Sequence, residues 1–282
     1  MYDDSSVGVV VPAYNEEPFI EAVLTTIPEF VDRTFVVDDC STDGTWEIVS
    51  SLADRTAAQR VTDGGTVEPD QAATTLASAI PDQDIVPVRH ESNGGRGAAV
   101  KTGYELALVD GHDIVAVMDG DGQMDPTQLE RIVEPVAAGR VEYAKGNRLA
   151  SPDHWAGMSR WRLFGNTVLT ALTKVASGYW GMRDPQNGYT AISADALRQL
   201  DLDSIYDDYG FLNDLLIRLD ARGMRLADVP ITAVYGDESS GIEYSTFVPR
   251  LSWLLLTGFL WRLWTKYFRR ATASRDDSTN SP

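Results

Sequence analysis

The sequence predicts an α/β fold: a mostly parallel central sheet with helices on both faces, followed by a C-terminal amphipathic helix. Three observations predict it. Short β-branched runs alternate with helical patterns over the first half of the 282 residues. Polar clusters rich in Gly and Asp follow those runs, at the strand ends where such sheets bind ligands. The segment 247–270 combines aromatic and aliphatic residues with cations and contains no acid.

Val7–Pro12 reads as a buried strand closed by proline, and Glu16–Ile27 as a helix. Thr34–Val37 is the next strand, ending at Asp38-Asp39. Ser41–Thr45 is turn and cap chemistry opening a helix over Thr45–Ala58, where Asp43 and Ser41 serve the backbone. Residues 60–81 read as a polar insertion with a short helix over Asp70–Ala79. Asp84–Val88 is a strand, Gly97–Val109 a helix and Asp113–Met118 a strand. Pro126–Ala138 is a helix with proline at its start, where a missing N–H costs nothing. Glu142–Gly146 is a further strand. Trp155–Ala176 is helical, Asp184–Thr190 a polar loop, and Gly210–Arg222 an amphipathic helix ended by Gly223. Arg225–Val229 and Ile231–Tyr235 are extended around Pro230. The expected domains are a catalytic unit over 1–246, the basic helix 247–270 and a disordered tail 271–282.

Composition narrows the function. Lys and Arg number 24 against 42 Asp and Glu, a formal charge of −18, so nucleic acid is disfavoured as a partner. Residues 250–270 carry +5 and the last twelve −1, which leaves −22 on residues 1–249. Only four of the basic residues are Lys, and an acidic, Lys-poor surface suits the high-salt cytoplasm of a halophile. The single cysteine, Cys40, excludes an intrachain disulfide framework and a Cys-rich zinc site. The start lacks a basic leader pattern, and no run of about 18 apolar residues predicts a spanning helix.

Asp119-Gly-Asp121-Gly-Gln123 follows a predicted strand, so two carboxylates and an amide converge on one hard divalent cation, Mg²⁺ or Mn²⁺. Asp38, Asp39 and Tyr14 sit on neighbouring strand ends, where a carboxylate accepts from a base or ribose and a ring covers a base. The Gly-rich run Asn93–Lys101 opens a helix. Its free N–H groups, with Arg96 and Lys101, are expected to meet diphosphate oxygens. It matches neither a Rossmann nor a P-loop fingerprint.

Together, VVVPAYNEE (9–17), VVDDCSTDGT (36–45), NGGRGAAVKTG (93–103), MDGDGQMDP (118–126) and GNR (146–148) resemble the inverting glycosyltransferases of family 2, which have the GT-A fold. DPQNGYTAIS (184–193) and the DVP at 228–230 resemble archaeal dolichyl-phosphate mannose and glucose synthases in particular. The resemblance implies a nucleotide-sugar donor, UDP- or GDP-linked, and a dolichyl or polyprenyl phosphate acceptor serving protein glycosylation. Carried over by residue, it implies that Pro12, Tyr14, Glu16 and Asp39 hold the nucleoside. Asp119, Asp121 and Gln123 hold the metal, and Arg148 faces phosphates. No QxxRW motif is present, so polymer synthesis is not expected. Ser240 stands where many lipid-phosphate members have Lys. The acceptor's cation is then sought among Arg160, Arg162, Arg183 and Arg250. Asp214 lies where hydroxyl-using relatives keep a base, and it reads equally as a solvated helix residue. Transfer to a sugar hydroxyl is the alternative function.

At ~100° per residue, Trp253, Leu254, Leu256, Leu260, Trp261, Leu263, Trp264, Tyr267 and Phe268 share one face of the last helix. Arg262, Lys266, Arg269 and Arg270 fall opposite. This pattern predicts a helix lying in the membrane interface, its cations on anionic headgroups, and a peripheral enzyme on the cytoplasmic face. Packing on the protein body is the alternative.

Overall fold

A computed structural model describes residues 1–63, 84–150, 160–208, 210–232 and 244–276. The helix expected over Asp70–Ala79 and the segment around Ser240 lie outside the described residues. Among those described, seven strands form one sheet: β1 (Val7–Ala13), β2 (Arg33–Asp38), β3 (Asp84–Arg89), β4 (Ile114–Val117), β5 (Tyr143–Asn147), β6 (Thr190–Ser193) and β7 (Leu226–Pro230). Their order is β3-β2-β1-β4-β6-β5-β7. Only β6 runs against its neighbours, antiparallel to β4 and β5; the other paired strands are parallel.

The helices are α1 (Ile20–Thr25), α2 (Thr45–Asp63), α3 (Arg96–Asp110), α4 (Leu129–Ala137), α5 (Arg160–Ser177), α6 (Ala194–Arg198), α7 (Phe211–Ala221) and α8 (Tyr244–Asp276). Strand periodicity sets the layers. Val7, Val9 and Val11 pack with α1, α2 and α4 on one face, and Val10 packs with α3 and α7 on the other. α3 lies so close to β1 that a Cβ on Gly103 would stand 2.2 Å from Val10 Cγ1, so only glycine fits there. α5, α7 and α8 form a further layer around Ala176, Ile217, Leu251 and Leu255.

Three elements differ from the sequence expectation. The helix expected over Glu16–Ile27 is confined to Ile20–Thr25. β6 begins at the last residue of the expected loop Asp184–Thr190, and its four residues carry too little periodicity to predict a strand. α8 extends beyond both ends of 247–270, so the first residues of the expected tail, up to Asp276, are helical.

The reversed β6 positions the site. Thr190 pairs with Val117 at the end of β4 and with Lys145 near the end of β5. The loop before it, 184–189, therefore lies over the carboxyl edge of the sheet.

Candidate functional site

The loops after β1 and β2 are knitted together. Asn15 and Cys40 adopt left-handed backbone conformations, φ +57° and +64°, which lets both chains turn sharply at the sheet edge. Asn15 N–H donates to Ser41 Oγ at 2.9 Å, and Thr42 N–H donates back to Asn15 Oδ1 at 2.8 Å. Glu16 N–H donates to Thr45 Oγ1 at 2.8 Å, and Glu17 N–H to Asp43 Oδ2 at 3.2 Å. Burial works against the Asp43 charge, but Thr45 and Glu17 donors outweigh it and hold the pKa below the ordinary value. Tyr14 stands about half exposed beside this junction. The Pro12 carbonyl accepts from Gly120 N–H at 3.2 Å and joins β1 to the acidic run.

The Gly-rich loop is not a set of free donors. Gly94 N–H donates to Asp39 Oδ1 at 2.9 Å and Gly95 N–H to Asp39 Oδ2 at 2.7 Å. His90 Nδ1 also lies 2.7 Å from Oδ1. Asp39 thus folds the loop onto β2, and these N–H groups are not presented to a diphosphate. A carboxylate has about four acceptor sites, so Oδ2 keeps room for another donor. Asp38 is wholly buried, accepting from Ser41 N–H at 3.2 Å and pairing with Arg89 at 3.1 Å, a structural role. Lys101 also departs from expectation. Its Nζ pairs with Asp207 at 2.5 Å and donates to the Ile205 carbonyl at 3.0 Å, anchoring the loop before α7.

Arg96, from the same run, does reach the acidic motif. Its Nε and Nη2 contact Asp119 Oδ1 at 2.8 and 2.6 Å. Burial opposes the Arg96 charge, but the Asp119 carboxylate outweighs it and raises the pKa. Asp121 Oδ1 accepts from Gln123 N–H at 3.0 Å, which curls DGDGQ into a tight loop. Among the described residues no group of three or more His, Cys, Asp or Glu side chains forms a metal cage. Two carboxylates and an amide nonetheless fit Mg²⁺ or Mn²⁺, which commonly fills its remaining positions with substrate phosphate and water.

The 184–189 loop, part of the DPQNGYTAIS run that resembles archaeal family members, closes over this pair. A Cβ on Gly188 would stand 2.3 Å from Arg96 Nη2 and 2.9 Å from Asp119 Oδ2. Asp184 binds Arg148 through Nε at 2.9 Å, Nη2 at 3.3 Å and backbone N–H at 3.2 Å. Burial alone would raise the Asp184 pKa; Arg148 overrides it and holds the carboxyl below its ordinary range. Arg148 itself stays partly exposed at the edge. Lys145, absent from the sequence expectation, is fully buried and donates to the carbonyls of Asp184 and Asn187. Its signal in the sequence was a lone Lys, one of four, in an otherwise buried strand.

Asp214 lies in the first turn of α7 and is tied to the framework. Its Oδ2 accepts from Tyr206 N–H at 3.0 Å and pairs with Arg218 at 3.1 Å. Arg183 and Arg250 are exposed; the side chains of Arg160 and Arg162 lie outside the described residues.

α8 packs on the protein body along one side and leaves an apolar side exposed. Leu251 and Leu255 pack on the body, while Trp253 (68 % exposed), Leu256, Leu260, Leu263, Trp264 and Tyr267 face outward. Val168, Leu172 and Val175 on α5 are also exposed. Two of the four expected headgroup cations are tied to the body, Arg262 and Lys266 pairing with Asp220 at 2.9 and 2.5 Å, and the side chains of Arg269 and Arg270 lie outside the described residues. Among the described residues no helix is long and apolar enough to cross a membrane.

The family described as "Glycosyl transferase family 2" matches residues 8–201. A UDP-N-acetylglucosamine–dolichyl-phosphate N-acetylglucosaminyltransferase of Methanococcus voltae is 27 % identical over 84 % of this chain and 88 % of its own length. An undecaprenyl-phosphate mannosyltransferase of Micrococcus luteus is 28 % identical, over 80 % of this chain and 82 % of its own. Among solved structures, glucosyl-3-phosphoglycerate synthase from Mycobacterium tuberculosis, in complex with Mn²⁺, UDP and phosphoglyceric acid, superimposes with a TM-score of 0.59 at 20 % identity. That match covers 92 % of this chain and 78 % of the other. The fold is therefore GT-A, as the sequence motifs implied.

Proposed function

Because the chain belongs to glycosyl transferase family 2, we propose that this glycosyltransferase moves a sugar from a nucleotide-sugar to a polyprenyl phosphate at a membrane surface. The nucleoside lies against Tyr14, Pro12 and Glu16, with Asp39 Oδ2 accepting from the base or ribose. Asp119, Asp121 and Gln123 would hold Mg²⁺ or Mn²⁺ beside the donor. The metal, when bound, neutralises charge on the leaving nucleotide. Arg148, fixed by Asp184, adds a guanidinium to the same edge, where negative charge develops as the sugar departs.

The observation that carries the phosphate acceptor is Asp214. A sugar hydroxyl needs a base to take its proton, whereas a phosphate is already anionic. Asp214, which lies where hydroxyl-using relatives keep a base, is bound by Tyr206 and Arg218. The Methanococcus and Micrococcus relatives, named for dolichyl and undecaprenyl phosphate, support the same reading. The exposed apolar face of α8, with α5 beside it, supports a peripheral position on the cytoplasmic face of the membrane. The charge of −18 supports work at high salt.

The test is incubation of membranes carrying the protein with labelled UDP- and GDP-sugars in molar KCl, with and without EDTA. Lipid-extractable label that EDTA abolishes is the expected result. Label on a water-soluble glycan, with none in lipid, overturns the phosphate acceptor. Metal-independent transfer overturns the role of Asp119 and Asp121.

A further inference from the structure

Lys145 has no solvent exposure, yet its side chain ends in an ammonium. Burying such a group is costly unless the charge is well compensated. Its partners are two backbone carbonyls of one loop, Asp184 at 2.5 Å and Asn187 at 2.8 Å. Those residues bracket everything the loop does for the site. Asp184 holds Arg148, and the residue after Asn187 is Gly188, pressed onto Arg96 and Asp119. Resting on the function proposed above, we propose that Lys145 is a positioning residue for the transfer: its protonated Nζ clasps the 184–189 loop and so seats Arg148 and the Arg96–Asp119 pair for the donor diphosphate.

The charge balance around Nζ makes the clasp responsive. Burial pushes its pKa from 10.5 down to about 7. The Asp184 carboxylate on the loop and Asp228 on β7 favour the charged form, and Arg148 after β5 and Arg96 on α3 oppose it. A diphosphate bound beside Arg148 and Arg96 cancels those two opposing charges. Donor binding then draws a proton onto Lys145, and loss of that proton at higher pH loosens the loop and weakens the donor.

The experiment measures binding of UDP-N-acetylglucosamine and GDP-mannose, each with Mn²⁺, to the full chain by calorimetry from pH 6 to pH 9. The donor's diphosphate has no proton to lose in this range and its base N–H titrates only at the upper end, so a step in affinity between about pH 7 and 8.5 belongs to the protein. For the wild type, affinity is expected to fall roughly tenfold between about pH 7 and 8.5, following the protonated fraction. Buffers of different ionisation enthalpy should report proton uptake of up to about one per donor near pH 8. Lys145→Met keeps the length and removes the charge; its binding should be weaker by tenfold or more at pH 6.5 and flat with pH. If Lys145→Met fails to fold, the wild-type affinity profile and proton uptake still decide. A flat wild-type profile without proton uptake overturns the proposal. So does a Lys145→Met variant that binds as the wild type does, or that keeps the pH step, which then belongs to another group. Binding of neither nucleotide at any pH overturns the functional reading and this inference with it; pH-independent binding overturns this inference alone.

Discussion

Gly188→Ala tests the architecture of the site with one methyl group. The added Cβ would stand 2.3 Å from Arg96 Nη2, 3.0 Å from Arg96 Cζ and 2.9 Å from Asp119 Oδ2. Ordinary contact begins near 3.4 Å, so the guanidinium must retreat by about 1 Å. A free arginine tip moves easily, but this one is only partly exposed and is bound to Asp119 Oδ1 by two contacts. The retreat therefore drags or releases the carboxylate proposed to hold the metal. A misplacement of about 1 Å in a catalytic group costs roughly 10²-fold in rate, or about 2.7 kcal/mol of transition-state stabilisation. Overpacking should cost only about 1–2 kcal/mol of stability, since one flexible side chain absorbs it. The assay is initial rate against donor and Mn²⁺ concentration with a polyprenyl phosphate acceptor, alongside thermal unfolding. The expected pattern is a fall of about a hundredfold in kcat/KM with a raised Mn²⁺ requirement in a folded protein. A variant within threefold of wild type, with an unchanged metal requirement, refutes the claim that the loop seats the Arg96–Asp119 pair.

Three further outcomes follow from single side chains. Asp214→Asn should leave kcat within about threefold and lower stability by about 1 kcal/mol, since the amide oxygen can still accept from Tyr206 and only the Arg218 pair is lost; a loss of two orders in kcat with donor binding intact would restore the base. Asp125 accepts from Thr127 N–H at 2.9 Å and Thr127 Oγ at 2.7 Å, and Thr127 together with Gln128 holds its pKa below 3.8 against the effect of burial. Asp125→Ala should cost about 1 kcal/mol at neutral pH, and because the folded pKa is depressed that contribution is present above about pH 4 and fades as pH falls through the lower folded value; chemical denaturation at pH 7 and pH 2.5 checks this. On α8, Trp253 is 68 % and Leu260 56 % exposed. Replacing both by Ser should weaken binding to anionic vesicles about tenfold or more, and molar KCl should weaken wild-type binding far less; flotation assays read both, and salt-abolished binding that ignores the substitutions would refute an apolar attachment.

The parts of the fold visible in the sequence are those that local patterns determine. Val7–Ala13 and Ile114–Val117 are buried on both faces and so read as continuous apolar runs. The loop after each is polar because it lines the sheet edge. β6 was hidden because its identity comes from pairing with β4 and β5. Residues 119–123 stand out by their types and spacing at a strand end, which is why a cation is proposed there. The partners of Asp39 and Lys101 were not, because the choice between a ligand and a neighbouring backbone depends on loops 50 or more residues apart in sequence. Lys145 illustrates the same limit: nothing local distinguishes a strand lysine that reaches solvent from one that reaches two carbonyls.

In the C-terminal helix, two of the four cations expected at headgroups have a closer partner. The +5 over residues 250–270 stands against −22 on residues 1–249, and that contrast drew the cations towards lipid headgroups. Asp220 on α7 supplies a closer anion: it takes both Arg262 and Lys266, and Arg262 also donates to the Val175 carbonyl on α5. With these two cations fixing α8 to α5 and α7, the helix must turn its other side outward, and that side holds Trp253, Leu256, Leu260, Leu263 and Trp264. In molar salt this arrangement has a physical advantage. Exposed charge attraction is screened within about 3 Å at 1 M, whereas apolar burial is not screened, and the partly buried pairs at Asp220 are screened much less than surface charges. A protein with this acidic surface, if held at a bilayer in such a medium, would be held by its aromatic face. The basic residues contribute by keeping that face presented.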